Sequence, residues 1–134
     1  MMEVSEHMLQ DAGPLAFLGT TDYARARAFY EGVLGLTVTA HDDFALILDV
    51  GGCPVRIVQL PQVTPSEHTL FGFTHADVRG KVRALAARGV AFVRYEMFGD
   101  AQDADGVWTP PGGSAGVAWF RDPDGNLLSI SGGG

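Results

Sequence analysis

The 134-residue sequence holds one cysteine, Cys53. A disulfide within the chain is therefore excluded, and so is a zinc site made of several thiolates. Lys81 is the only lysine among nine cationic side chains, set against sixteen acidic ones, for a formal net charge of −7. With no basic run, the electrostatic footprint of nucleic-acid binding is missing. No apolar stretch approaches the ~20 residues that a membrane-spanning helix needs. No P-loop or GxGxxG phosphate motif is present. Met1–Gly13 is mixed and acidic, without the positive start and apolar stretch of a secretory signal, so a cytoplasmic location is expected.

What is there is a globular composition, 46% hydrophobic and 19% charged, well outside the disordered regime. The length suits one domain. Two segments have apolar residues at helical spacing. Asp22–Leu34 carries Ala26, Phe29, Tyr30 and Val33 on one face, with Asp22 as N-cap and Gly35 as stop. Asp77–Arg88 carries Val78, Val82, Leu85 and Ala86, with Asp77 as cap and Gly89 as stop. Strand-like runs surround them: Leu15–Thr20, Leu36–Ala40, Phe44–Val50 and Val55–Leu60 in the first half, then Leu70–His75, Val90–Tyr95, Gly116–Arg121 and Asn126–Ile130 in the second. Strand–helix–strand–strand–strand thus occurs twice. The two capping aspartates lie 55 residues apart, and the turns Asp49–Gly52 and Asp122–Gly125 lie 73 apart. A repeat of this kind is to be recognised before any fold is assigned. The expected architecture is α+β: two βαβββ modules forming a curled mixed sheet with a cleft. Module one covers 14–62 and module two 68–131, after a loose lead-in at 1–13 and before a flexible Gly tail at 132–134.

Asp22 ahead of a helix ending in Phe29, Tyr30, Leu34 and Gly35, together with Ala118–Ile130 (AWFRDPDGNLLSI) and Val107–Gly113 (VWTPPGG), resembles the vicinal oxygen chelate superfamily. That superfamily contains glyoxalase I, extradiol dioxygenases, fosfomycin-resistance enzymes and bleomycin-binding proteins. The likeness runs from about Leu15 to Ile130. The DPDGN stretch reads as a hairpin turn with no need to touch a ligand. Metalloenzymes of this superfamily hold a divalent ion from the first and last strand of each module. The resemblance puts those positions at Leu15, Arg56, Leu70 and Ser129. Two leucines, a guanidinium and a hydroxyl do not make a transition-metal site, which wants imidazole, thiolate or carboxylate. The likeness is therefore to the metal-free, bleomycin-resistance-like branch, with no metal and no cofactor expected.

Strand alternation then selects the cleft residues: Leu15, Phe17, Arg56, Val58, Leu70, Thr74 and Ser129, with Ala118 or Trp119 opposite Ser129 according to the turn length. Tyr95 and Trp108 join them from the long Gly/Asp/Pro segment Glu96–Ala115 and its entrance, a segment long enough to be a lid, a binding loop or disordered. Trp108 either stacks on a planar ligand or packs on the other module. Arg56 either anchors a carboxylate or phosphate or pairs with Asp49 at a strand edge. The expected function is metal-independent small-molecule binding, of the antibiotic- or toxin-sequestering kind. An aromatic ligand suits Trp108 and Tyr95, and a cationic one suits the acidic charge. The alternatives are a lyase, isomerase or dioxygenase with relocated ligands such as His41 or His68, or a regulatory dimer without a ligand. The resemblance also implies a homodimer.

Overall fold

The computed structural model describes residues 8–113 and 115–133. Residues 8–13 are exposed and outside any strand. β1 (Ala16–Thr20) leads into α1 (Tyr23–Arg27), which widens into a π-helical stretch (Ala28–Val33). β2 (Thr37–His41), β3 (Leu46–Val50) and β4 (Cys53–Gln59) complete the first half. The second half holds β5 (Phe71–Thr74), α2 (Val78–Ala87), a 3-10 turn (Glu96–Ala101), β6 (Ala115–Arg121) and β7 (Leu127–Gly133). Both helix starts form as their sequences dictate. Asp22 accepts from the amide of Arg25 and Asp77 from that of Gly80, each satisfying an amide left free in a first turn. Gly35 and Gly89, at φ 72° and 95°, end the helical segments in the left-handed conformation open to glycine.

The strands build two sheets, ordered β1-β4-β3-β2 and β5-β7-β6. In each, the first strand pairs in parallel with the last. Phe17 lies opposite Arg56 in the first sheet and Gly72 opposite Ser129 in the second. These pairs are related by the same offsets of 55 and 73 residues that the sequence repeat shows. The hairpins differ in length by three residues. Gly51 and Gly52 alone join β3 to β4, both at positive φ, whereas five residues, Asp122–Asn126, join β6 to β7. The longer turn sets Ser129 opposite Trp119 rather than Ala118.

Two expectations need correction. Val90–Tyr95 does not form a strand: only Phe92 bridges to β6, at Phe120, with Val93 donating to the carbonyl of Trp119. The free edge of β6 is shared, because Trp108 pairs with Val117 further along, so no continuous fourth strand can align there. The Gln102 side chain takes up the remaining main-chain groups, accepting from the amide of Tyr95 and donating to the carbonyl of Val93. Second, β7 continues past Ser131, with Gly132 opposite Gly116 and Gly133 opposite Ala115.

One core joins the halves. Leu18, Leu46, Leu48, Val55 and Ile57 of the first sheet pack with Tyr30, Ala26, Phe120 and Leu128. A second cluster, Val78, Val82, Val107, Ala118 and Ile130, seats α2 on the second sheet. The DPDGN turn does more than reverse the chain. The Asp122 carboxylate accepts from the buried Tyr30 hydroxyl at 2.5 Å. Asp124 accepts from the Thr20 and Thr21 hydroxyls, the Thr21 amide and Arg25, and Asn126 donates to the carbonyl of Gly19. The turn of one half is thereby fastened to the strand–helix junction of the other.

Candidate functional site

Because strand side chains alternate, the residues that fill this core leave their neighbours on the opposite faces of the two sheets. On the first sheet, Phe17, Arg56 and Ile47 stand in one row across β1, β4 and β3. Leu15 and Phe17 are 48% and 60% exposed, high for apolar side chains on a folded surface. Val58 lies in the next row, opposite Gly19, whose face is covered by Leu60 and Val63 from the linker. Arg56 makes no ion pair with Asp49 among the described residues. Its guanidinium Nε is buried without a hydrogen-bond partner among the described residues, which leaves a charged donor unsatisfied. Asp42 feels this charge, but its carboxyl is held below the usual value mainly by the amides of Phe44 and Ala45, with Arg56 and His41 contributing less.

On the second sheet, Gly72, Ser129 and Trp119 form the matching row. Thr74 and Leu70 flank it on β5 and at its entrance, Leu70 being 42% exposed. Ala118 is not brought to this face; it is fully buried against α2 in the second core cluster. Tyr95, Trp108 and Trp119 do come together, with Phe98, which the sequence reading did not single out. Phe98 stacks on Trp108 at 4.5 Å and on Trp119 at 5.7 Å, while Tyr95 meets Trp119 edge-on at 5.3 Å. The only sequence signal for Phe98 is an aromatic residue in an otherwise Gly/Asp-rich stretch.

The stretch from Gln102 to Val107 is firmly placed. Asp103 accepts from Arg79 and from the amides of Asp105 and Val107, and Asp105 pairs with Arg83. Burial pushes the Asp103 carboxyl up, but these donors outweigh it and leave it below its ordinary value. Its acids are therefore held by arginines.

The two candidate faces are not brought together within one chain. Both are turned away from the shared core, one carrying Phe17 and Arg56, the other Trp119 and Ser129. Two cavities of about 390 and 540 Å³ lie along the seam between the halves, the first beside Phe73, Leu85 and Lys81, the second beside Phe29, Val90 and Asp122. Neither reaches Arg56 or Trp119.

The positions that the resemblance assigned to a metal hold Leu15, Arg56, Leu70 and Ser129, and no three His, Cys, Asp or Glu side chains converge among the described residues. That donor set does not fit a divalent transition ion. His41 is engaged, accepting from Arg27 at Nδ1 and packing edge-on against Tyr23. His68 is exposed, and the Nδ1 of His75 accepts from the amide of Asp77. His7 lies outside the described residues. Among the described residues Cys53 has no basic neighbour in hydrogen-bond contact; its thiol faces the carbonyl of Pro54. Gly112–Gly116 spells GxSxG, but it runs into a strand instead of a helix, so it is not a nucleophile elbow; Ser114 lies outside the described residues.

Comparison with known proteins adds three findings. The family model for the Glyoxalase/Bleomycin resistance protein/Dioxygenase superfamily matches residues 11–130. No curated protein matches the chain in sequence. Among solved structures, the chain is similar to an antibiotic binding protein, TnmS3, from Streptomyces sp. CB03234, at 22% identity and a TM-score of 0.68, over 91% of this chain and 95% of that one. It is similar to the fosfomycin resistance protein FosX from Listeria monocytogenes, at 14% identity and 0.68, over 89% and 90%. A glyoxalase/bleomycin resistance protein/dioxygenase from Alicyclobacillus acidocaldarius gives 17% and 0.68, over 91% of each chain. At these identities the structural likeness establishes the fold.

Proposed function

The chain belongs to the Glyoxalase/Bleomycin resistance protein/Dioxygenase superfamily, and from that premise we propose that it binds and sequesters a small molecule without a metal ion. The observation that carries this reading is the chemistry of the four strand positions: two alkyl groups, a guanidinium and a hydroxyl where the superfamily's metalloenzymes need imidazole or carboxylate. What stands on the two faces is suited to holding a ligand. Phe17, Trp108 and Trp119 offer rings, and Arg56 offers a buried, unpartnered donor. A guanidinium whose buried Nε lacks a partner favours a ligand with an oxyanion or a strong acceptor, and this displaces the cationic ligand that net charge alone suggested. Likeness to an antibiotic binding protein and a fosfomycin resistance protein accords with a small-molecule role.

Each face alone is too open for the task, since small ligands usually have 70–90% of their surface covered. The working unit is therefore a homodimer, in which the Phe17–Arg56 face of one copy closes on the Trp119–Ser129 face of another. A cytoplasmic protein with no nucleic-acid or membrane partner fits this role.

The test is metal analysis of protein purified without chelators, followed by a thermal-shift screen of aromatic acids. The expected outcome is substoichiometric metal, and a rise in melting temperature for a binder by the linkage RT ln(1 + [L]/Kd). One bound metal per chain would sink the reading.

A further inference from the structure

Both tryptophans of the chain, Trp108 and Trp119, stand on the outer face of the second sheet, 6.2 Å apart. β6 places Trp119, and a reciprocal pair of main-chain hydrogen bonds with Val117 places Trp108. One ring lies flat over both. Phe98 is inclined by only 17° to Trp108 and 16° to Trp119, whereas Tyr95 meets Trp119 at 89°. Offset stacking of this kind is how a planar aromatic ligand sits on an indole.

The turn that carries Phe98 is held differently from the segment that follows. Residues 102–107 are pinned by Gln102, Arg79, Arg83 and Arg94. Glu96–Ala101 has no buried residue. Its main-chain bonds are local, from Phe98 to Tyr95 and from Gln102 to Gly99. Met97 projects into solvent. Gly99 sits at φ 48°, ψ −127°, a conformation that other residues rarely adopt, with open space beside it. The Phe98 ring is thus the main attachment of this turn, and few buried contacts are the mark of a segment that opens locally.

We propose that the Trp108–Trp119 face is a stacking site for a planar aromatic ring, that Phe98 fills it in the free chain, and that a ligand enters by displacing the Glu96–Ala101 turn. The proposal rests on the small-molecule reading above and names that site's ligand class and its gate. Phe98 is an internal competitor. The apparent affinity of the site is its intrinsic affinity scaled by the fraction of molecules in which the ring has swung away.

The test uses the full chain, its F98A and F98W variants, and 2-naphthoate as a planar probe, with the saturated decalin-2-carboxylate as its non-planar match. Both tryptophans lie at the site, so quenching of intrinsic emission reads occupancy directly. F98A should bind naphthoate about tenfold tighter than the wild type, as expected on removing a competitor that occupies the site roughly nine-tenths of the time. F98W, with a larger ring in the same place, should bind more weakly. Decalin carboxylate should quench none of them. If the wild type binds naphthoate and F98A binds it equally or less well, Phe98 is part of the platform and the gate is refuted, while small-molecule binding stands. If naphthoate quenches no variant but the thermal-shift screen finds another binder, the stacking site itself is refuted. If the screen finds no binder at all, the small-molecule reading falls with it. Circular dichroism of F98A and F98W guards against misfolding, and the opposite shifts expected of the two variants keep the comparison decisive if one is unstable.

Discussion

Replacing Tyr30 with phenylalanine removes a single hydroxyl from the interior and tests whether the DPDGN turn locks the two halves. Tyr30 is 1% exposed and Asp122 6%. The Asp122 carboxylate accepts four hydrogen bonds: from the Tyr30 hydroxyl and the Asn126 side chain on Oδ2, and from the amides of Asp124 and Asn126 on Oδ1. A hydrogen bond to a charged group contributes about 1.5–3 kcal/mol. Three donors remain in Y30F, so the expected loss is about 2 kcal/mol, or roughly 6–10 °C in Tm for a chain of this size. Asp122→Ala strands all the donors at once and should cost on the order of 3–5 kcal/mol; adding Y30F to that background should cost almost nothing further. Urea unfolding read by tryptophan emission reports the second half, and far-UV circular dichroism reports the whole chain. Both midpoints should move together in Y30F, with an unchanged slope. A Y30F protein within about 0.5 kcal/mol of wild type, or a circular dichroism midpoint that moves while the emission midpoint stays, would refute the reasoning. Burial, and then the charge of Asp122, push the Tyr30 phenol far above its ordinary value of 10.0. A group whose folded pKa is raised contributes stability below its unfolded pKa and loses it above, so the gap between wild type and Y30F should narrow as the pH climbs past 10.

Acid titration should expose Asp124. Burial pushes its carboxyl up, but the Thr20, Thr21 and Arg25 donors outweigh this and hold it below its ordinary 3.8. Its contribution is therefore complete above that value and is lost as the pH falls below it; D124N should flatten the acid limb of a plot of Tm against pH, and an unchanged limb would count against the assignment. Arg56→Met should leave the free protein equally or more stable, by up to about 1 kcal/mol, because it removes an unsatisfied buried donor, while weakening any oxyanion ligand at least tenfold by calorimetry. A drop in stability beyond 1 kcal/mol would mean that Arg56 has a structural partner. Gly132→Ala places a methyl group against the His75 main chain and should destabilise the protein by about 1–3 kcal/mol, as overpacking does. A neutral effect in urea would show that β7 ends before Gly132.

Much of this architecture was legible because it is written locally. Capping aspartates, glycine stops and apolar spacing name both helices, and the two offsets between repeats carry the Phe17–Arg56 pair of the first sheet onto the Gly72–Ser129 pair of the second. What escaped depends on partners distant in sequence. The alternation in Val90–Tyr95 suits a strand, but the edge it would need on β6 is half taken by Trp108. DPDGN reads as a turn from its own residues. Its grip on Thr20, Arg25 and Tyr30 spans about a hundred positions and leaves no local pattern. Whether Ala118 or Trp119 faces outward turned on one residue of hairpin length. Trp108 was recognisable as an aromatic residue without a helical reason to be buried, but Phe98 lying over it was not.

The linker between the halves has a consequence for motion. Leu60 donates to the carbonyl of Thr20, and Leu60 and Val63 lie over Gly19. Ser66 then accepts from the amide of Leu127 and from Arg121, and donates its own amide to Gly125. A hinge needs a few residues free to change their backbone angles, and this segment is bonded to the first half at one end and to the second at the other. The common core and the Tyr30–Asp122 hydrogen bond join the halves beyond this linker and oppose a jaw-like closure. The chain could be cut within the linker and its pieces should still reassemble, because Tyr30, Asp122 and the common core carry the docking information. Any capture of a ligand must then come from small local movements on a stiff frame.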